Sequence, residues 1–493
     1  MNVSIIRYIL GHIIKLEGFF MLLPCVVAIA YHEKELFTYL AMSAVCILLG
    51  SLLTLKKAKD TVFYLKEGCI ATVLSWVFLS FFGALPFLLT REIPHFTDAM
   101  FETVSGFTTT GASILSDVEA LSHASLFWRS FTHWIGGMGV LVFLLAIMPL
   151  SGGSNMNLMR AESPGPSVGK LVPKIRYTAR ILYIIYFALT AIEFLALLLA
   201  KMPVFDAICI SIGTAGTGGF GVLNSSCAAY STAAQWIITI FMILFSVNFN
   251  AFYLILFGQV KNAIKMEEVR AFLLIVVIAV AFITWDVSKL FDSLFEALTY
   301  AAFQVASIVS STGFATTDFD VWPGFSKTIL VILMFIGACA GSTGGGIKVS
   351  RFVIMGKSIK KELHSYIHPK SVKQIVMDGK EVEAGVIRSV GIYLITFFAI
   401  FVLSILVVAL EEKDLVTNVT SVTATLNNIG PGLSMVGPTQ NFGHFTDLSK
   451  WVFIFDMLAG RLELFPLLLM FHPTIWHELL VKPIRKKIRQ TNL

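Results

Sequence analysis

The chain has 493 residues, of which 56% are hydrophobic and only 14% charged, with a net charge of +6. A soluble domain carries about 25% charged residues, so this composition excludes a string of soluble domains and points to a polytopic membrane protein. Its basic residues fall between apolar runs, which excludes a nucleic-acid surface as their explanation.

Residues 5–30 and 36–55 read as two spanning helices, joined by Tyr31-His-Glu-Lys-Glu-Leu36 and followed by Lys56, Lys57 and Lys59. This N-terminal pair (1–60) stands apart from the rest of the chain, which repeats. In the first unit (61–160) a helix runs from about Leu65 to Leu89. A short segment from Asp98, placed to cap it, leads to Phe107, and a second helix spans about Leu126–Met148. A Gly/Pro/Ser-rich loop at 151–178 carries Arg160, Lys170, Lys174 and Arg176. The second unit (161–260) has a helix at about 180–200, a half-helix from Asp206, and a helix from Ala233 to Phe257. The third (261–360) has helices at about 269–285 and from 326 onward, with a half-helix at 295–309 between them. A basic loop follows from Lys348 to Arg388. The fourth (361–493) has a helix at about 386–410, a half-helix near Asn418 and a helix at about 450–471. Its tail holds Lys482, Arg485, Lys486, Lys487 and Arg489. These segments predict an all-α fold of ten crossings and four half-helices. About 28 of the 37 Lys and Arg lie on one side of it, which makes that side, with both termini, cytoplasmic.

One stretch recurs in all four units: Thr109-Thr110-Gly111, Gly216-Thr217-Gly218, Ser311-Thr312-Gly313 and Asn428-Ile429-Gly430. Any single copy reads as an ordinary turn. Four copies, spaced roughly 95–117 residues apart and each between apolar segments, are too far apart for a solenoid and suit four loops around one axis. Backbone that re-enters a bilayer must face protein or water. The C-terminal ends of half-helices carry partial negative charge, and loop carbonyls can replace an ion's hydration shell. No carboxylate lies within the motifs, which favours a monovalent cation over a divalent one.

On these motifs the chain resembles the Trk/Ktr/HKT superfamily of potassium transporters, and most of all its bacterial TrkH-type members. The resemblance covers nearly the whole chain. It implies a pseudo-four-fold pore made by one chain, K⁺ as the transported ion at the four motifs, a homodimer, and a location in the bacterial inner membrane. It further implies a partner: a cytosolic ring of nucleotide-binding subunits, for which the basic loops offer a docking surface. No nucleotide-binding domain or cofactor is expected in this chain itself. Relatives with serine at the first-unit glycine favour sodium; Gly111 points to potassium.

Two anomalies remain. Gly341-Ser342-Thr343-Gly344-Gly345-Gly346 interrupts the last helix of the third unit, and three consecutive glycines do not stay helical. Either that helix ends early or a flexible loop lies under the filter; the resemblance implies the loop, as a gate. Arg461 lies in the final apolar helix. It either snorkels to the interface or faces protein or water, and the resemblance implies a pore-facing role below the filter.

Other features carry less. His133, His444, His472 and His477 show no metal-ligand spacing, and the six cysteines form no CxxC pair. Lys170 has no Walker A context, and no nucleophile–base–orienter set suggests an enzyme. Asn418-Val419-Thr420 matches a glycosylation sequon. Two rivals to a gated potassium pore stay open: a symporter coupling K⁺ to H⁺ or Na⁺, and a membrane scaffold or receptor that transports nothing.

Overall fold

The computed structural model describes residues 1–56, 64–139, 175–371 and 373–477. Lys57, Lys59, Arg160, Lys170, Lys174, the 140–148 part of the expected helix and the basic tail beyond 477 lie outside the described residues.

The core of the fold is four copies of one unit: an outer helix, a half-helix and an inner helix. The outer helices are Leu65–Thr90, Ile175–Leu199, Glu267–Val287 and Ala384–Val408. They turn residues such as Val277 and Ile395 outward, as helices facing lipid do. The half-helices are Phe96–Phe107, Val204–Gly216, Leu294–Val309 and Leu415–Leu426, of 12, 13, 16 and 12 residues. At 1.5 Å per residue they reach roughly 18–24 Å, too short to cross a hydrocarbon core of about 30 Å. Their second halves are buried almost throughout.

Among the described residues, six helices are long and apolar enough to cross a bilayer: Val3–Tyr31, Leu36–Thr54, Leu65–Thr90, Ala179–Leu199, Glu267–Val287 and Ala384–Glu411. The other four expected crossings are the inner helices, and none runs on as one helix. His123–Met138, Thr232–Ser246, Gly324–Ile336 and Asp447–Arg461 stop after 16, 15, 13 and 15 residues. The sequence announces only the third of these stops. In the second unit the chain turns by 93° into Phe249–Leu256, with the Asn248 side chain capping the new helix. In the fourth, Glu463 and Leu464 adopt positive φ before Phe465–Leu469.

Two further expectations are corrected. Asp98 does not cap its half-helix: it sits in the first turn and pairs with Lys450 on the inner helix of the fourth unit. The stretch from Lys348 to Arg388 is not a loop. Nearly half of it is the helix Val349–Ile367, followed by a hairpin pairing Val376 with Glu381 and Met377 with Lys380. Asp378 and Gly379 form its tip with φ of 51° and 75°, the two positive values that a type I′ turn demands. Asn418, the sequon asparagine, is buried, and its amide donates to the Lys413 carbonyl, which leaves no room for a glycan.

The N-terminal pair packs through small residues. A Cβ on Gly50 would lie 2.5 Å from the Gly11 carbonyl oxygen, and one on Gly18 2.9 Å from that of Ser43. The Ser43 hydroxyl donates back to the Gly18 carbonyl at 2.7 Å. Close approach of this kind drives helix association where lipid removes the hydrophobic incentive. We predict that Gly50→Val forces the pair apart, costs about 1–3 kcal/mol and lowers the thermal midpoint in detergent; an unchanged midpoint would count against this packing.

Candidate ion pathway

Each half-helix ends in the same backbone turn. The residue after the last full turn is left-handed although it is not glycine: Thr109, Thr217, Ser311 and Asn428, with φ between 54° and 60°. Its N–H reaches back to Gly106, Thr214, Ile308 or Thr425 respectively. The next N–H, on Thr110, Gly218, Thr312 or Ile429, reaches the carbonyl five residues earlier at 2.9–3.0 Å. This is a Schellman-type closure, and it fixes the angle at which the chain leaves each helix. A glycine with positive φ follows in every case: Gly111, Gly219, Gly313 and Gly430.

That register corrects the sequence alignment in the second unit. Gly219, not Gly218, is equivalent to Gly111, Gly313 and Gly430, so the matching triplet is Thr217-Gly218-Gly219 and Gly216 still belongs to the half-helix. Three glycines among four residues left the choice open in the sequence; only the sign pattern of φ resolves it.

The four turns close into a ring. A Cβ on Gly111 would stand 2.0 Å from the Gly218 oxygen, on Gly219 1.9 Å from that of Thr312, on Gly313 2.2 Å from that of Ile429, and on Gly430 2.8 Å from that of Thr110. Each glycine thus meets the carbonyl just before the next unit's glycine, in the order one, two, three, four, one. The Asn428 amide joins the last turn to the first by donating to the Thr110 hydroxyl at 3.0 Å.

Polar side chains behind the ring hold it in shape. Glu102, fully buried, accepts from Arg129 Nε at 2.9 Å and Nη2 at 2.7 Å. It also accepts from the Ser113 hydroxyl and the Ile114 N–H, both beyond the first turn. Arg129 continues to the Gly221 carbonyl and lies over the Phe220 ring, 4.1 Å from its centre, beside the second turn. His133 makes the same link: Gly106 O accepts from Nδ1 at 2.7 Å, and the Phe220 N–H donates to Nε2 at 3.2 Å. One imidazole therefore needs its proton on Nδ1 to serve both neighbours. None of these three residues was predicted to act at the site. Their signal was present, since Glu102 and Arg129 are charges inside apolar segments of the kind that marked Arg461.

On the side of the ring reached by the inner helices lies the interrupted segment of the third unit, Gly337–Lys348. The Gly345 N–H donates to the Ser311 hydroxyl, and the Gly346 N–H to the Asn427 carbonyl at 3.0 Å. A Cβ on Gly344 would stand 2.7 Å from Ser310 O, so the loop lies directly against the third and fourth turns. Arg461, at the end of the fourth inner helix, donates from Nη1 to the Thr343 carbonyl at 2.9 Å. Its Nη2 donates to the carbonyls of Gly136 and Gly137 on the first inner helix, the latter at 2.8 Å. The Ser342 and Thr343 hydroxyls turn away, to Cys339 O and Phe245 O. Lys348 bonds the Gly344 carbonyl, and Arg351 pairs with Glu463 in the break that follows Arg461. Glu268 accepts from the N–H groups of Ala340 at 2.6 Å and Ser350 at 3.1 Å, near the two ends of the loop. Gly341, Ser342, Thr343, Gly344, Gly345, Gly346 and Arg461 thus form one hydrogen-bonded assembly against the ring.

Known proteins share this architecture. A family profile described as TrkH, cation transport protein, matches residues 36–478. The Trk system potassium uptake protein TrkH of Salmonella typhimurium is 37% identical over 97% of the chain and all of its own length. TrkH of Vibrio parahaemolyticus is 37% identical over 96% of the chain and 99% of its own length. The crystal structure of the potassium transporter TrkH from Vibrio parahaemolyticus matches with a TM-score of 0.86 at 33% identity, covering 97% of this chain and 100% of that one.

His133→Ala should cost about 2–5 kcal/mol, because it leaves the Gly106 carbonyl and the Phe220 N–H without partners and opens a cavity. The thermal midpoint in detergent reads this loss; a midpoint equal to the parent's would show that His133 does not tie the two turns.

Proposed function

Because the chain belongs to the TrkH family of cation transport proteins, we propose that it takes up potassium across the bacterial inner membrane through the ring of four turns. The observation that carries this proposal is the ring itself, four equivalent backbone turns with each carbonyl set against the next unit's glycine. The names of the relatives supply the ion.

The ion sites are the turns Thr109-Thr110-Gly111, Thr217-Gly218-Gly219, Ser311-Thr312-Gly313 and Asn428-Ile429-Gly430. No carboxylate lies within them, so their oxygens offer dipoles and not charge, which suits a large monovalent ion that must also leave. The half-helix C-termini add partial negative charge from behind.

The Gly337–Lys348 loop is the gate, held closed by Arg461. It must withdraw before an ion can pass, and withdrawal breaks the Thr343, Gly345 and Gly346 hydrogen bonds together. A separate cytosolic ring of nucleotide-binding subunits supplies that energy by docking on the basic cytoplasmic face, both termini lie on that face, and two chains form a homodimer. The excess of Lys and Arg on that side supports the docking.

In liposomes the protein should pass K⁺ and Rb⁺ in preference to Na⁺. No flux above empty vesicles would favour a scaffold or receptor, and a reversal potential that follows the pH or Na⁺ gradient would favour a symporter. Gly111→Ser should lower the K⁺/Na⁺ permeability ratio, since its Cβ must displace the Gly218 carbonyl. A ratio equal to the parent's would remove Gly111 from the filter. Arg461→Ala should raise basal K⁺ flux several-fold with selectivity retained, as the four turns stay in place. At matched amounts of folded protein, flux no higher than the parent's would mean that the gate is held elsewhere.

A further inference from the structure

Glu268 stands in the first turn of the third outer helix, Glu267–Val287, and only 3% of it is exposed. Burying a carboxylate is costly unless donors surround it, and its partners here are donors. One oxygen, Oε1, accepts from the N–H groups of both Ala340 and Ser350. The other, Oε2, lies 3.4 Å from the amide nitrogen of Asn248, whose side chain caps the second unit's Phe249–Leu256. Donors on both oxygens suit an ionised carboxylate, and charge-assisted bonds are about twice as strong as neutral ones.

The Ala340 and Ser350 N–H groups stand at the two arms of the loop yet meet at one atom. Between them lie Gly341, Gly344, Gly345 and Gly346, of the residue type that loses most freedom on ordering. A backbone bond from Val349 N–H to Ala338 O at 3.1 Å joins the arms to each other, but it does not fix where the joined base sits. Glu268 ties both arms to an outer helix. It also serves a helix that lacks a cap of its own. Lys348, at the start of Val349–Ile367, makes no side-chain capping bond, and the Glu268 carboxylate lies at that N-terminus, where negative charge is favoured. Packing does not seal this base: Asn248, Glu268, Ala340 and Ser350 all line a cavity of about 1140 Å³, which leaves the arms room to move.

We propose that Glu268 is a positioning residue that sets where the loop rests. It fixes the base of Gly337–Lys348 so that Gly345 and Gly346 reach the third and fourth turns. Arg461 holds the loop at Thr343, and Glu268 holds it at its base. Glu268 acts through the loop and never on the ion. The proposal rests on the reading of this loop as the gate, so its test measures loop position and ion flux separately.

Cys339 is buried and immediately precedes Ala340, so its modification reports movement of the base. The full-length protein in liposomes, without any regulator, is treated with a water-soluble maleimide, and labelling of Cys339 is followed by peptide mass spectrometry. Glu268→Gln keeps the size and loses the charge. It should label about tenfold faster than the parent, as charge-assisted bonds give way to neutral ones. Glu268→Asp keeps the charge but stops one methylene short of the two N–H groups. It should also label faster, and it carries the test if Glu268→Gln does not fold. Glu267→Gln removes the neighbouring tie to Lys357 on the same helix, leaves the loop donors in place, and should label as the parent does. Folded Glu268 variants that label at the parent's rate overturn the proposal, as does a Glu267→Gln variant that labels as fast as Glu268→Gln. Basal K⁺ flux of the Glu268 variants, at matched amounts of folded protein, should rise several-fold with the K⁺/Na⁺ ratio unchanged. Faster labelling with flux no higher than the parent's supports Glu268 as the anchor of the loop and overturns the reading of that loop as the gate.

Discussion

Peptide groups inside a bilayer need partners, and four chain reversals placed there would leave their carbonyls without any. The ring answers this by making each reversal part of its neighbour's wall. A turn at Gly111 has its place only if Gly218 O is beside it, and so on round to Thr110 O beside Gly430. Four non-glycine residues in the left-handed region cost about 1–3 kcal/mol each, and no single half-helix could hold one at that cost. The cost is met by the two backbone bonds that close each turn and by the buttress of Glu102, Arg129 and His133. A buried ion pair of this kind stabilises little by itself, but losing one partner leaves a charge stranded, which makes the pair a strict constraint on the surrounding geometry.

The interruptions of the four inner helices follow from the same arrangement. An inner helix that ran straight on would keep all its carbonyls to itself. Stopping at Met138, Ser246, Ile336 and Arg461 releases peptide groups on the axis side of the fold, and the Gly337–Lys348 loop takes up several of them. The Cys339 N–H uses the Ser246 carbonyl, the Phe249 N–H uses Gly341 O, and Arg461 uses Gly136 and Gly137. The loop is thus tied directly to the stop of the second unit and, through the Arg461–Thr343 bond, to those of the fourth and first.

Much of this was legible in the chain. Apolar runs marked the segments, because a bilayer imposes one length on every crossing. The glycine motifs marked the turns, and Arg461 marked itself as a charge where none is tolerated unpaired. The rest was hidden for physical reasons. Gly218 and Gly219 are chemically the same, so the register of the second turn rests on a backbone angle. The stop at Ser246 has no glycine or proline, since Asn248 makes it by capping. Glu102 and Arg129 lie 27 residues apart and meet only once the first unit has folded. The helix after Lys348 read as a loop because its charge outweighed its period.

Arg461 spans three units: its own, the third through Thr343, and the first through Gly136 and Gly137. Such a contact is open only to a pore whose quarters are covalently joined and have diverged. In an assembly of four identical chains every side chain appears four times, and four arginines would converge on one axis with four loops competing for the space of one. Here the four units of one polypeptide keep their turns alike while the third carries the loop and the fourth the arginine that bonds it. The division of labour that separate subunits usually provide is written along one chain.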